Sequence, residues 1–230
     1  MFHVKHNKIT EKIVGAEVLE QARQIYRKNS EQLERYIDLL LEWNEKINLV
    51  SRTVSRETVR EHVVHSLLPI PLGLLNSHKI WIDSGTGGGL PGLPLAVCIP
   101  DSEWILNDNI RKKMKAVHDI IQQMPLPNAG VTAKSISLVQ VKEGMGIVTK
   151  HAFKLDNLLQ HLNKKPWQTI LMWKGIDDAM IEFDRANKKI KGTFYRFDFG
   201  ENEFFYEGKG LVLIEKQKDS QRPIKYRSKQ

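Results

Sequence analysis

Cysteine is nearly absent, with one thiol, Cys98, in 230 residues. That excludes an internal disulfide framework and any cysteine-rich zinc site, and it points to a reducing compartment. Long apolar runs are missing as well. The longest, Leu67 to Leu75, is interrupted by Pro69, Pro71 and Gly73, and it falls short of the ~20 residues that cross a bilayer. The opening residues, Met1 to Lys8, have no apolar stretch of the kind a secretory signal needs. Acidic charge is in deficit, since 27 Asp+Glu face 35 Lys+Arg for a formal net charge of +8. What is present, 41% apolar residues, suffices for a real core in one domain with a small appendage. The expectation is a basic, soluble, cytoplasmic globular protein with no membrane contact.

The basic excess is concentrated. Residues 216–230 carry Lys216, Lys218, Arg222, Lys225, Arg227 and Lys229 against Asp219 alone, and a second cluster, Arg111-Lys112-Lys113-Met114-Lys115, lies mid-chain. Such runs are either solvated surface or sites of phosphate neutralisation. Composition by itself does not separate nucleic acid from another anionic surface.

Apolar periodicity divides the chain. After Thr10, Val14, Val18, Ala22 and Ile25 recur at helical spacing; after Asn29-Ser30, so do Leu33, Ile37, Leu40, Trp43 and Ile47; Ser55 opens a third helix with Val59, Val63 and Leu67. Residues 1–78 thus read as a helical cap packed on a larger body. From Lys79 short β-rich runs alternate with helices, with strands expected at 80–83, 104–107, 131–134, 146–149, 170–173, 194–199 and 211–215. The clearest helices are 110–124, with Ile110, Met114, Val117 and Ile121 on one face, and 176–190. Alternation of this kind means a doubly wound parallel sheet, here over 79–215, with the last two strands an antiparallel pair at one edge and 216–230 a basic tail.

The segment Trp81-Ile-Asp83-Ser84-Gly85-Thr86-Gly87-Gly88-Gly89-Leu90-Pro91-Gly92 carries the chemistry. Five glycines at a strand-to-helix turn let a ligand approach the backbone closely, at the strand ends where open α/β sheets bind ligands. Gly87 to Gly92 satisfies G-x-G-x-x-G, a dinucleotide fingerprint. Gly85-x-Gly87-x-Gly89 equally fits the looser loop of S-adenosylmethionine (SAM) sites. Both readings want an acidic residue closing the next strand to grip ribose hydroxyls, and Asp108 stands there. The pattern leaves the two open. His62 and His65, three apart on a helix, lack an evident Cys, His or carboxylate partner, so no metal is expected; Cys98 reads as a small core residue.

A wider resemblance chooses between them. Leu41-Glu-Trp43-Asn44-Glu-Lys-Ile47-Asn48-Leu49, His62-Val-Val-His65-Ser66-Leu67, the stretch from Asp83 to Ala96, and Leu106-Asn-Asp108 followed by Lys112-Lys113 occur in that order. Together they resemble the bacterial small-subunit rRNA guanine-N7 methyltransferases, also called glucose-inhibited division protein B, over about residues 33 to 175. The resemblance implies a Rossmann-like class I SAM-dependent methyltransferase fold and methylation of N7 of one guanine in 16S rRNA of the small ribosomal subunit or its precursor; separately, a monomer is expected. It implies SAM contacts at Gly85, Gly87, Gly89, Leu90, Asp108, Ser135 and Ile136, with Asp83 holding the loop or the ligand. His151 and Lys174 would lie beside the methyl group, and Arg111, Lys112 and Lys113 along the RNA.

The chain departs from the family pattern at three places. His151-Ala152 replaces Arg-Ala after the fourth strand, Gly146 replaces an acidic residue at that strand's start, and Ser135-Ile136 replaces an acidic residue near the adenine. These departures keep a non-catalytic RNA-binding or ribosome-assembly relative as a second reading. The G-x-G-x-x-G match keeps a nicotinamide-dependent oxidoreductase as a third.

Overall fold

The structure, a computed structural model, describes residues 8–186 and 190–217. Eight strands form one sheet: β1 (Lys8–Val14), β2 (Ile80–Ser84), β3 (Glu103–Asn107), β4 (Ala129–Thr132), β5 (Met145–Lys150), β6 (Thr169–Gly175), β7 (Ile190–Phe197) and β8 (Lys209–Lys216). Their spatial order is β1-β7-β8-β6-β5-β2-β3-β4. β2 to β6 run parallel, and β8 pairs antiparallel with both β6 and β7. The chain winds outward from β2 to β4 and then returns to β5 on the other side of β2. This reversal opens a crevice at the carboxyl ends of β2 and β5, the switch point at which such sheets bind ligands.

Side chains alternate across the sheet, so each central strand feeds two cores. Trp81, Val148, Leu171 and Trp173 face one, against α1 (Ala16–Lys28), α2 (Ser30–Lys46), α3 (Arg56–Leu67), α4 (Gly92–Cys98) and α5 (Arg111–Gln123). Ile82, Ile147, Ile170 and Met172 face the other, against α6 (Leu155–His161) and α7 (Ile176–Arg185). Ser55 caps α3 by accepting the Thr58 amide at 3.1 Å.

Three sequence expectations are corrected. Residues 8–14, placed in a helical cap, form β1, which pairs in parallel with β7 beyond the antiparallel pair. Its side chains are mostly exposed, so the strand carries neither a helical nor a two-residue apolar rhythm, and its partner determines it. The strand expected at 131–134 is β4, which runs from Ala129 to Thr132 because its pairing with β3 begins at the Trp104–Ala129 register. The helix expected to 190 ends at Arg185; residues 187–189 and the tail from 218 on lie outside the described residues.

The family-like departure at Gly146 has a packing cause. Gly146 lies opposite Trp81 in register, and a Cβ there would meet the indole at 2.3 Å. The large ring on β2 takes the volume that a side chain on β5 would need. The exchange sits near the start of β5, away from the crevice.

Candidate functional site

The glycine loop leaves β2 and is held from below. The amides of Gly85 and Thr86 donate to the Asn107 carbonyl at 2.8 and 3.0 Å, and those of Gly89 and Leu90 turn back to the Thr86 carbonyl. Gly85, Gly87 and Gly89 have φ of +73°, +58° and +104°, a region in which an L side chain is strained. Gly85 has a second reason to be glycine, since a Cβ would come within 2.4 Å of Ala152. Asp83 is fully buried behind the loop, where it accepts from Thr86 Oγ1 (2.5 Å) and the Gly92 amide (2.9 Å). Burial outweighs these bonds and pushes its carboxyl up to about 7. Its carboxylate thereby takes the first amide of α4, the group a dinucleotide pyrophosphate would need.

The helical layer completes the cradle. Asn44 folds residues 49–51 against α2, its Oδ1 accepting from the Leu49 and Val50 amides and its Nδ2 donating to the Ser51 carbonyl. This presses Leu49 against the loop at Gly88, where Leu40 also packs and Tyr36 donates to the Gly88 carbonyl at 3.1 Å. Trp43 Nε1 ties α2 to Asp119 of α5 at 2.9 Å. The Trp-Asn…Asn-Leu string is therefore the buttress of the glycine loop.

At the carboxyl end of β3, Asp108 Oδ2 accepts the Gly87 amide (3.2 Å) and Oδ1 the Ile110 amide (2.9 Å). Between Asp108 and the loop opens a cavity of about 520 Å³, walled also by Ile136, Ser135, Lys113, Lys134, Lys150 and His151. That volume lies within the range of small-molecule sites. Ile136 is buried and supplies an apolar wall, and Ser135 starts the 3-10 turn 136–138 by accepting the Ser137 amide. Asn107 fixes the strand ends by donating to the carbonyls of Thr132 and Lys134.

The far side of the cavity is basic. Lys150 ends β5 with Nζ 3.0 Å from His62 Nδ1. His151 follows with a left-handed backbone, φ +55°. His65, fully buried, has no hydrogen-bond partner for either ring nitrogen among the described residues. Its ring sits among Phe197, Phe205, Tyr206 and His151. Burial, reinforced by neighbouring positive charge, drives His62 to about 3, His151 to about 4 and His65 well below the usual histidine range.

The structure thus brings Gly85, Gly87, Asp108, Ser135, Ile136, Lys113 and His151 together around one cavity. Asp83, Gly89 and Leu90 lie behind it as loop supports. Lys174 is not among its lining residues; its ammonium is held by Glu182 of α7 and the Phe153 carbonyl. Arg111 and Lys112 are exposed on the first turn of α5. A second hollow of about 290 Å³ beside it gathers Lys46, Arg52, Lys112 and Lys113. Sequence reading passed over Lys150, Lys134 and the proximity of His62 to the cavity. Adjacency to His151 was the available signal for Lys150; His62 reaches it from 88 residues away.

Sheet order, switch-point cavity, glycine loop and a carboxylate after the second parallel strand define a Rossmann-like class I methyltransferase fold. A mutant of MtNAS solved in complex with S-adenosylmethionine shares that fold, with a TM-score of 0.52 at 12% identity over 86% of this chain and 77% of that one. The family model described as rRNA small subunit methyltransferase G matches residues 29–195. Ribosomal RNA small subunit methyltransferase G of Chlorobium phaeobacteroides is 34% identical over 167 residues, 71% of this chain and 75% of its own. That of Flavobacterium psychrophilum is 31% identical over 183 residues, 75% and 87% respectively. This chain belongs to the rRNA small subunit methyltransferase G family.

Proposed function

We propose that the protein is a SAM-dependent methyltransferase acting on N7 of a guanine in small-subunit ribosomal RNA. One observation carries the cofactor half of this reading: the Asp108 carboxylate faces the positive-φ glycines Gly85 and Gly87 across the mouth of β2 and β3. Asp108 would grip the ribose hydroxyls, the flat backbone of the loop would accept the amino-acid part, and Ile136 would cover the adenine. S-adenosylmethionine, when bound, supplies a methyl group made electrophilic by the adjoining sulfonium.

Guanine N7 carries an in-plane lone pair on the major-groove edge. No proton leaves before the new bond forms, so no general base is required of the chain. The protein's work is placement of the base at near-attack distance. The base must also be exposed or unstacked, at a cost of a few kcal/mol when paired. With the cofactor's sugar at Asp108, the acceptor enters from the side of β5, where His151 lies. Arg111, Lys112 and Lys113 would neutralise RNA phosphates, joined by Lys46 and Arg52 across the second hollow. Lys174 would act at one remove, fixing the chain after β5 through the Phe153 carbonyl. No described helix is long and apolar enough to cross a membrane.

The test is incubation with methyl-labelled SAM and small ribosomal subunits lacking this modification, followed by nucleoside mass spectrometry. The expected product is 7-methylguanosine in the small-subunit RNA. SAM binding without transfer to RNA would favour the non-catalytic reading, which the departures at His151 and Ser135-Ile136 motivate.

A further inference from the structure

Lys150 is an unusual wall residue. It stands two positions beyond the Asp83–Val148 register pair, at the height of the glycine loop, and it lines the cavity. Among the described residues its Nζ has one hydrogen bond, to His62 Nδ1 at 3.0 Å, and no carboxylate within ion-pair distance. Around it stand His62 and His65 on α3, His151 next in sequence, Lys209 at the start of β8, and Asp83 on β2. Burial, and then Lys209, lower its ammonium to about 7, while Asp83 acts the other way. With neutral His62 protonated on Nε2, its Nδ1 lone pair accepts one Lys150 N–H and steers the nitrogen. The remaining N–H groups are free for a ligand in the cavity.

The chemistry of the acceptor says what such a donor is for. Guanine presents N7 and O6 side by side, and a protein usually reads both with one bidentate group. A methyltransferase must leave N7 bare, so a group that reads this edge has to be a single donor aimed at O6. A lysine offers a point donor, whereas a planar guanidinium would also cover N7. Adenine carries an amino donor where guanine has O6, so the same lysine would face it donor to donor. Methylation also leaves positive charge on the ring, and a nitrogen surrounded by other basic groups holds its own proton loosely enough to limit the repulsion.

We propose that Lys150, held by His62 Nδ1, donates a hydrogen bond to O6 of the acceptor guanine and selects guanine against adenine at the methylated position. The proposal rests on the methyltransferase reading above. It is tested by methyl transfer to small-subunit RNA carrying guanine or adenine at the acceptor position, with SAM affinity measured in parallel. Lys150→Met is expected to narrow the guanine-to-adenine ratio of kcat/KM at least tenfold, with SAM affinity within about threefold of wild type. An unchanged ratio with SAM binding intact would overturn the assignment. Should Lys150→Met fail to fold, Lys150→Gln decides: its amide can also accept from the adenine amino group, so a narrowed ratio supports the proposal and an unchanged one overturns it. Wild-type protein that binds SAM but transfers no methyl group to the guanine RNA would overturn the enzymatic reading and this assignment with it. An active wild type with an unaltered ratio in the variants overturns this assignment alone.

Discussion

The two sides of the cavity are built by opposite means. On the side of β2 and β3, one continuous loop and one carboxylate do the work, and hydrogen bonds hold them: Asp108 takes two amides, Asp83 an amide and a hydroxyl on one oxygen, and the Asn107 carbonyl two more amides, with Asp83 Oδ1 and Ser84 Oγ left without a partner among the described residues. On the side of β5, Lys150 and His151 line the cavity, backed by His62 and His65 of α3 and by Lys209 of β8; of these, His65 has no partner for either ring nitrogen among the described residues. The first side is a preformed mould. The second is a dehydrated basic wall in which Lys150 keeps N–H groups for a ligand, and gathering buried basic groups in this way carries a real cost in stability. A shape common to any SAM fits the first, whereas recognition of one particular base fits the second.

If the mould is as specific as it looks, the largest effect belongs to Gly87→Val. Its backbone sits at φ +58°, where a β-branched residue is strained, so the loop that walls the cavity would have to shift. Methyl transfer should fall by more than ~100-fold, as the loss of a positioned reactant predicts; activity near the wild-type level would remove the loop from the cofactor site.

The basic wall should reveal itself through acid sensitivity. A histidine kept neutral in the folded state takes up its proton only on unfolding once the pH drops below about 6.5. Stability from His65 is therefore present above that pH and is lost as the pH falls, by up to about 1.4 kcal/mol per pH unit. His62 and His151, driven down to about 3 and 4, slope the same way. Urea midpoints measured from pH 7.5 to 5.5 should decline less steeply in His65→Leu than in wild type. Parallel slopes would mean that His65 is not held neutral.

A smaller effect lies outside both sides. Arg111→Ala with Lys112→Ala should lower the salt slope of RNA binding by about one to two units, with SAM affinity unchanged, because neither residue lines the cavity. An identical slope would take the start of α5 off the RNA path.

The same asymmetry governs what the sequence made legible. Loop and carboxylate are local: glycine spacing marks Gly85 to Gly89, and Asp108 follows at the next strand end, so both were readable. So was the succession of β2 to β8 along the chain, because each carries its own apolar run, although β4 and β7 both begin earlier than expected. β1 was not, since pairing with β7 creates it and its residues, Ile9 and Ile13 among them, are mostly exposed. The wall was illegible for a related reason. Lys150 meets His62 from 88 residues away, and nothing in either segment announces the other. Trp81 and Gly146 repeat the lesson in the core, where a departure that suggested lost chemistry is an exchange of volume between neighbouring strands.

The direct test of a cofactor mould facing a separate base-reading wall is calorimetric titration of SAM into wild type, Asp108→Ala and Lys150→Met. The account predicts one site per chain in wild type, affinity reduced at least tenfold in Asp108→Ala, and affinity close to wild type in Lys150→Met. Loss of binding in Lys150→Met, or undiminished binding in Asp108→Ala, would contradict it.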